Sequence, residues 1–162
     1  MSTTSPAAPV AAPVRWLTAE QQRHWRAYVD GGALLTEALG RQLERDSELS
    51  LSEYEALVRL SEAPDRTMRM SLLADELAHS RSRITHTIRR LEERGFVERR
   101  ACAADGRGVN AAMTATGFAR LQTAAPGHVA AVRSHLVDVL SDDQLRALGE
   151  CMAVVREALR GS

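Results

Sequence analysis

Eight arginines crowd into the stretch from Ser80 to Gly108, against only four acids (Glu92, Glu93, Glu98 and Asp105). That is a local excess of four positive charges in a chain whose formal net charge is zero. Guanidinium groups bind phosphate oxygens and can pair with two acceptors on a guanine edge, while Ser and Thr hydroxyls mostly orient on phosphate. Ser80, Ser82, Thr85 and His86 are interleaved with Arg81, Arg83 and Arg89. The chemistry these types and spacings point to is nucleic-acid recognition. Overall neutrality argues against indiscriminate coating of nucleic acid and for one localised site.

No competing catalytic set stands elsewhere. The five histidines (24, 79, 86, 128 and 135) make no metal-binding HExxH spacing. There is no Gly-rich strand-to-helix loop for a nucleotide and no Ser nucleophile elbow. Cys102 and Cys151 form neither a disulfide framework nor a CxxC pair. An enzyme, a cofactor and a metal are therefore not expected.

The elements that must carry the arginines are legible. Ser80 is a good N-cap, Gly95 sits where a helix needs a left-handed C-terminal residue, and Ile84, Ile88 and Leu91 share one face between them. The outward face holds Arg81, Ser82, Thr85, His86 and Arg89. A preceding helix, Ser71 to Ala78, is expected to turn Leu72, Leu73 and Leu77 inward, with Ala74 and Ala78 small enough for a close crossing. Only a few residues part the two helices, which is helix-turn-helix spacing. Phe96 and Val97 lead into a basic strand through Arg99 and Arg100, a turn at Asp105-Gly106-Arg107-Gly108, and a returning strand from Val109 to Met113. The fold class is mainly α with a small β-wing, a winged helix-turn-helix.

This segment resembles the DNA-binding domain of the MarR family of bacterial transcriptional regulators. The resemblance rests on Met70-Ser71-x-Leu73-Ala74-Asp75-x-Leu77, on Ser80-x-Ser82-x-Ile84-Thr85, and on Arg90-Leu91-Glu92-x-Arg94-Gly95-x-Val97-x-Arg99. Asp105-x-Arg107-Gly108 and Met113-Thr114-x-x-Gly117 complete it. More weakly, it extends from about Trp16 to the C-terminus.

The flanks divide the chain further. Residues 1–14, rich in Ala, Pro, Ser and Thr, read as a disordered tail without the character of a signal peptide. Thr18-Ala-Glu-Gln21 is a capping box opening a first helix that runs to about Arg45. Gly31-Gly32 inside it costs about 1 kcal/mol per glycine relative to Ala and implies a kink or a close backbone contact. Ser50 to Glu53 caps a second helix that Pro64 stops, and Arg66 to Met70 can add a short strand beside the wing. Thr114 caps a long helix that Pro126-Gly127 should break or bend. Ser141 to Gln144 caps a last helix whose Leu145, Leu148, Met152, Val155 and Leu159 make a heptad-type seam, with Cys151 packed nearby. These apolar stripes need a partner, which favours a homodimer, as the resemblance also implies. The domains are then 1–14 tail, 15–48 N-terminal dimerisation helix, 49–114 winged helix-turn-helix and 115–162 C-terminal dimerisation helices.

No apolar run approaches the roughly 18–20 residues that span a bilayer, so a cytoplasmic protein without membrane contact is expected. A two-fold dimer should read an inverted repeat (a palindromic operator) in double-stranded DNA with half-sites about 34–36 Å apart. The candidate DNA contacts are Ser80, Arg81, Ser82, Arg83, Thr85, His86, Arg89, Arg99 and Arg107, the last resembling the family's minor-groove arginine. Promoter occlusion, hence repression, is the expected outcome, although no sequence feature separates it from activation. The resemblance further implies release by a small aromatic or phenolic effector, for which Arg15, Trp16, His24, Trp25 and Tyr28 are candidate contacts. Trp and Tyr at helical spacing equally suit an interface core. Two alternatives stand beside this reading. One is a redox-responsive regulator acting through Cys102, whose thiolate Arg99 and Arg100 could favour. The other is a winged helix used only for protein contacts. Arg107→Ala should weaken operator binding and flatten its salt dependence in duplex titrations. Unchanged affinity and slope would remove the wing from the recognition surface.

Overall fold

The computed structural model describes residues 14–102 and 108–161. Expectations for the N-terminal tail and for the wing tip, including Asp105, Gly106 and Arg107, fall outside the described residues, Val14 excepted. In chain order the helices are α1 (Ala19–Ser47), α2 (Leu51–Glu62), α3 (Met70–Glu76), α4 (Arg81–Glu93), α5 (Ala115–Val132) and α6 (Asp142–Arg160). Strands β1 (Thr67–Arg69), β2 (Val97–Ala101) and β3 (Val109–Met113) form one antiparallel sheet in the order β1-β3-β2. Thr67 pairs with Ala112, Val97 with Met113 and Ala101 with Val109. The chain parts into two compact units within α1, Met1–Leu34 and Leu35–Ser162.

Local chemistry sets most boundaries. Thr18 and Gln21 cap α1 reciprocally at 2.9 and 3.2 Å. Ser50–Glu53 and Ser141–Gln144 form the other two capping boxes. Ser80 Oγ accepts the Arg83 amide at the start of α4, and Gly95 takes φ +70° just past its end. Within the second unit the core is aliphatic: Leu43, Leu49, Leu57, Leu60, Leu73, Ile84, Ile88, Leu91 and Val97 are all at most 1% exposed. It seats α2, α3 and α4 against the sheet and the first half of α5.

Several expectations need correction. In α3 only Leu73 and Ala74 are buried; Leu72 is 48% exposed, because a residue adjacent to Leu73 points about 100° away from it. Ala78 lies beyond the helix at φ +50°, in the turn rather than at a crossing. Gly31-Gly32 neither breaks α1 nor serves a close contact, since a Cβ at either would meet nothing within 4 Å. Pro126-Gly127 does not break α5. Pro126 is exposed, and buried Leu121, Ala124 and Ala131 hold the helix on both sides of it. The irregularity comes later, as a π-helical turn over Arg133–Val137 in which the Asp138 amide donates to the Arg133 carbonyl at 2.8 Å. In α6 no residue is buried, so Cys151 is exposed rather than packed, and Leu148, Met152, Val155 and Leu159 are 37–74% exposed.

One small knot joins the wing to α5. Thr114 Oγ1 donates to the Gly95 carbonyl at 2.7 Å and accepts the Gly117 amide at 3.0 Å, while the Thr114 amide donates to the Phe96 carbonyl at 3.0 Å. This brings Gly117 so close to the strand entry that a Cβ there would lie 2.1 Å from the Phe96 carbonyl oxygen. Backbone cannot retreat as a side chain can, so Gly117→Ala should cost roughly 1–3 kcal/mol or more, in the range of overpacked cores. A thermal melt checks this. An unchanged midpoint would mean that α5 can slide relative to β2.

Candidate nucleic-acid interface

The side chains of α4 sort into three sectors at 100° per residue. Thr87, Leu91, Ile84 and Ile88 occupy the buried one. Arg81, Thr85, Arg89, Ser82 and His86 fill an exposed sector about 140° wide. Between these lies a third, only about 40° wide, holding Arg83, Arg90 and Arg94.

The exposed sector is the candidate contact surface. Among the described residues the Arg81 guanidinium has no hydrogen-bond or ion-pair partner. Thr85 Oγ1 donates back to the Arg81 carbonyl at 2.8 Å, leaving its lone pairs outward. Ser80 and Ser82 hydroxyls lie 3.1 Å apart at the capped end. Arg89 stands 3.2 Å from His86 Nδ1 and 3.6 Å from Glu93, an exposed pair that water and salt weaken. The first turn of α4 contains no acid, and its free amides add to the attraction for phosphate.

The narrow arginine sector is tethered to the protein, although Arg83 and Arg90 remain exposed. Arg83 Nη2 donates to Ser52 Oγ at 2.7 Å, Arg90 Nε meets Glu53 Oε1 at 3.1 Å, and Arg94 Nη1 donates to the Glu48 carbonyl at 2.6 Å. All three partners lie in the Glu48–Glu53 segment that ends α1 and begins α2. Arg83 is thus placed apart from Arg81, Ser82, Thr85, His86 and Arg89. The signal was present in the sequence as spacings of seven and four, which set Arg83, Arg90 and Arg94 on one helix stripe.

In the wing the charges are largely balanced. Arg99 donates its amide and Nε to Glu92 at 3.2 and 2.7 Å. These bonds hold the Glu92 carboxyl below its ordinary range and raise the Arg99 guanidinium. Arg100 pairs with Glu98 at 3.0 Å. Both arginines beside Cys102 are therefore engaged by acids, and Cys102 itself is half-buried, its amide bonded to the Gly108 carbonyl at 2.9 Å.

An open cleft of 470 Å³ joins α4 to the sheet, lined by Arg69, Ser71, Arg81, Thr85, Arg99 and Val109. Arg69 and Ser71 are not among the contacts expected from the sequence; β1 and the start of α3 bring them there. Gly108 lies against the Arg69 guanidinium: a Cβ there would come 2.6 Å from Nη2, a contact that the flexible arginine can relieve by moving.

Arg15, Trp16, His24, Trp25 and Tyr28 are exposed, with the Trp25 and Tyr28 rings 5.8 Å apart and His24 Nε2 3.9 Å from Glu20. A second cleft, of 330 Å³, lies within the other unit, walled by Leu35, Leu39, Tyr54, Val58, Leu77 and His128. His128 packs on Tyr54 with ring centroids 4.4 Å apart, and burial lowers its pKa below the usual value. Leu77 caps the end of α3, so one wall of this cleft lies at the turn between α3 and α4. No helix among the described residues is long and apolar enough to cross a membrane.

The MarR family profile matches residues 49–109. The chain is 44% identical to Sco3205, a MarR family transcriptional regulator from Streptomyces coelicolor whose crystal structure is a complex with DNA. That match covers 90% of this chain and 92% of the other, with a TM-score of 0.87. It is 39% identical to AbsC, a MarR family transcriptional regulator from the same organism, over 92% and 100% of the two chains at a TM-score of 0.85. A third, Sco5413, shares the fold at 18% identity and a TM-score of 0.78 over 89% and 98%. No protein of curated function matches the chain.

Arg81→Ala should weaken duplex binding and reduce the log–log salt slope by about one, the signature of one lost phosphate contact. Arg100→Ala, whose charge Glu98 already balances, should leave the slope nearly unchanged. Titration of both variants across several salt concentrations tests the contrast, and equal slopes would mean that the wing's ion pairs open on binding.

Proposed function

The chain belongs to the MarR family of DNA-binding transcriptional regulators, which are not enzymes, and on that premise we propose that it is a homodimeric repressor of an inverted-repeat operator. The observation that carries this is the outward sector of α4, capped at Ser80 and presenting Arg81, Ser82, Thr85, His86 and Arg89 with no acid in its first turn. A helix of this size fits the major groove, where Arg and polar side chains reach base edges. Arg69, Ser71 and Arg99 extend the surface toward the wing, and Arg107 is assigned to the minor groove. The DNA complex of Sco3205 supports the same use of the fold here.

The dimer reading is supported by α6, where Leu148, Met152, Val155 and Leu159 repeat at heptad spacing and remain exposed in the single chain. Two recognition helices related by a two-fold axis then read half-sites about 34–36 Å apart. A small aromatic or phenolic effector is assigned to release the DNA. The cleft between Leu35, Tyr54, Leu77 and His128 supports such a step, because its occupant touches the turn that leads into α4.

A duplex titration at two salt concentrations tests the proposal, with the intergenic DNA flanking the protein's own gene as probe and random duplex as competitor. Tight, salt-sensitive binding that survives excess random DNA is expected, and it should weaken when phenols are added. Equal, weak binding to both duplexes would overturn specific recognition of this DNA and favour the winged helix as a protein-contact module.

A further inference from the structure

We infer that Glu53, which lies outside the DNA-facing surface, is a positioning residue that sets the roll of α4 and hence the sequence specificity of binding. The inference rests on the reading of α4 as the DNA-contacting helix. Glu53 is 1% exposed; its Oε2 is hydrogen-bonded, while its buried Oε1 has no hydrogen-bond partner and only the Arg90 guanidinium as an ionic neighbour. Oε2 accepts the Ser50 amide at 2.8 Å and the Ser50 hydroxyl at 2.9 Å, which completes the cap of α2. Oε1 faces Arg90 Nε at 3.1 Å. Capping alone does not need the charge, since Gln serves at this position of a capping box as well as Glu. A buried carboxylate is costly unless it is paired. The charge therefore has one evident use, which is to hold Arg90.

The contacts on either side explain why that hold matters. Ile84, Ile88 and Leu91 press α4 onto the core, but apolar contact is non-directional and fixes depth better than rotation. The polar contacts that oppose rotation are those of the arginine stripe: hydrogen bonds from Arg83 to Ser52 and from Arg94 to the Glu48 carbonyl, and the ion pair of Arg90 with Glu53. Of these three, only Arg90 has a buried ionic partner. A roll of about 10° on a helix about 5–6 Å in radius moves side-chain tips by about 1 Å. Functional contacts must be held to within about 0.5 Å, so base recognition is lost by such a roll. Phosphate attraction depends on charge and distance and survives it.

The test separates positioning from stability and from charge. The probe is a duplex enriched by the wild-type chain from a random-sequence pool, with an unselected duplex as reference. Glu53→Gln keeps the shape and the cap. It should weaken the selected duplex about tenfold, the scale of one lost base contact, and change the unselected duplex by less than about twofold with the same salt slope. Arg90→Gln should lose the same preference, and the double variant should be no worse than Arg90→Gln alone, because both remove one interaction. An unchanged affinity for the selected duplex, equal losses on both duplexes, or additive losses in the double variant would each overturn the inference. Should Glu53→Gln fail to fold, Ser52→Ala releases Arg83 without touching the buried carboxylate. It should again weaken only the selected duplex, and no loss there would overturn the inference. If the wild-type chain enriches no duplex at all, the reading of α4 itself fails, a result distinct from any of these.

Discussion

The attachment of one helix to the start of another governs this structure. Arg83, Arg90 and Arg94 leave α4 along one stripe and end on Ser52, Glu53 and Glu48. That stripe separates the buried sector from the exposed one, so it fixes both at once: which residues reach the core and which are offered to a duplex. Without it, α4 would be held by its buried Ile84, Thr87, Ile88 and Leu91 alone. Everything on the outward face, from Arg81 to Arg89, takes its direction from these three contacts.

Charge count and charge use consequently diverge. Eight arginines between Ser80 and Gly108 suggest one broad cationic surface, yet the structure gives separate tasks to the seven it describes. Three brace the fold, Arg99 and Arg100 are balanced by Glu92 and Glu98, and Arg89 is shared with Glu93. Arg81 stands apart as the guanidinium for which no partner exists among the described residues. Ion pairs on an exposed surface contribute little to stability. Their larger effect is to lower the field that would attract any polyanion.

Features decided within a few residues were legible in the sequence. The caps at Thr18, Ser50, Ser80, Thr114 and Ser141, the left-handed Gly95, and the inward step of Ile84, Ile88 and Leu91 all follow from neighbours along the chain. Features decided by distant neighbours were not. Local spacing sets Arg83 on one stripe with Arg90 and Arg94, but what that stripe meets is decided by Ser52, thirty-one residues away. Leu72 looked as apolar as Leu73, but a seven-residue helix has room for only one inward stripe. Pro126 looked like a break, yet packing by Leu121, Ala124 and Ala131 outweighs the loss of one backbone donor. Of the candidate site, the residue types and the element that bears them were readable, while the contribution of Arg69 and Ser71 was not.

The same distinction applies to the exposed apolar seam of α6. A heptad pattern states that a helix wants a partner and leaves open which one. Among the described residues Leu148, Met152, Val155 and Leu159 stay 37–74% exposed, although α6 is well capped by Ser141 and carries two acids in its first turn. Local signals therefore form the helix, and burial is left to a second surface. If that surface is another copy of the chain, the recognition helices acquire a fixed separation, and the roll set by Glu53 is duplicated across a two-fold axis. A small error in roll would then displace both half-site contacts in opposite senses, which no sliding of the dimer along the duplex could correct. Symmetry thus makes the geometry of one buried carboxylate more consequential for operator choice than for the folding of either subunit.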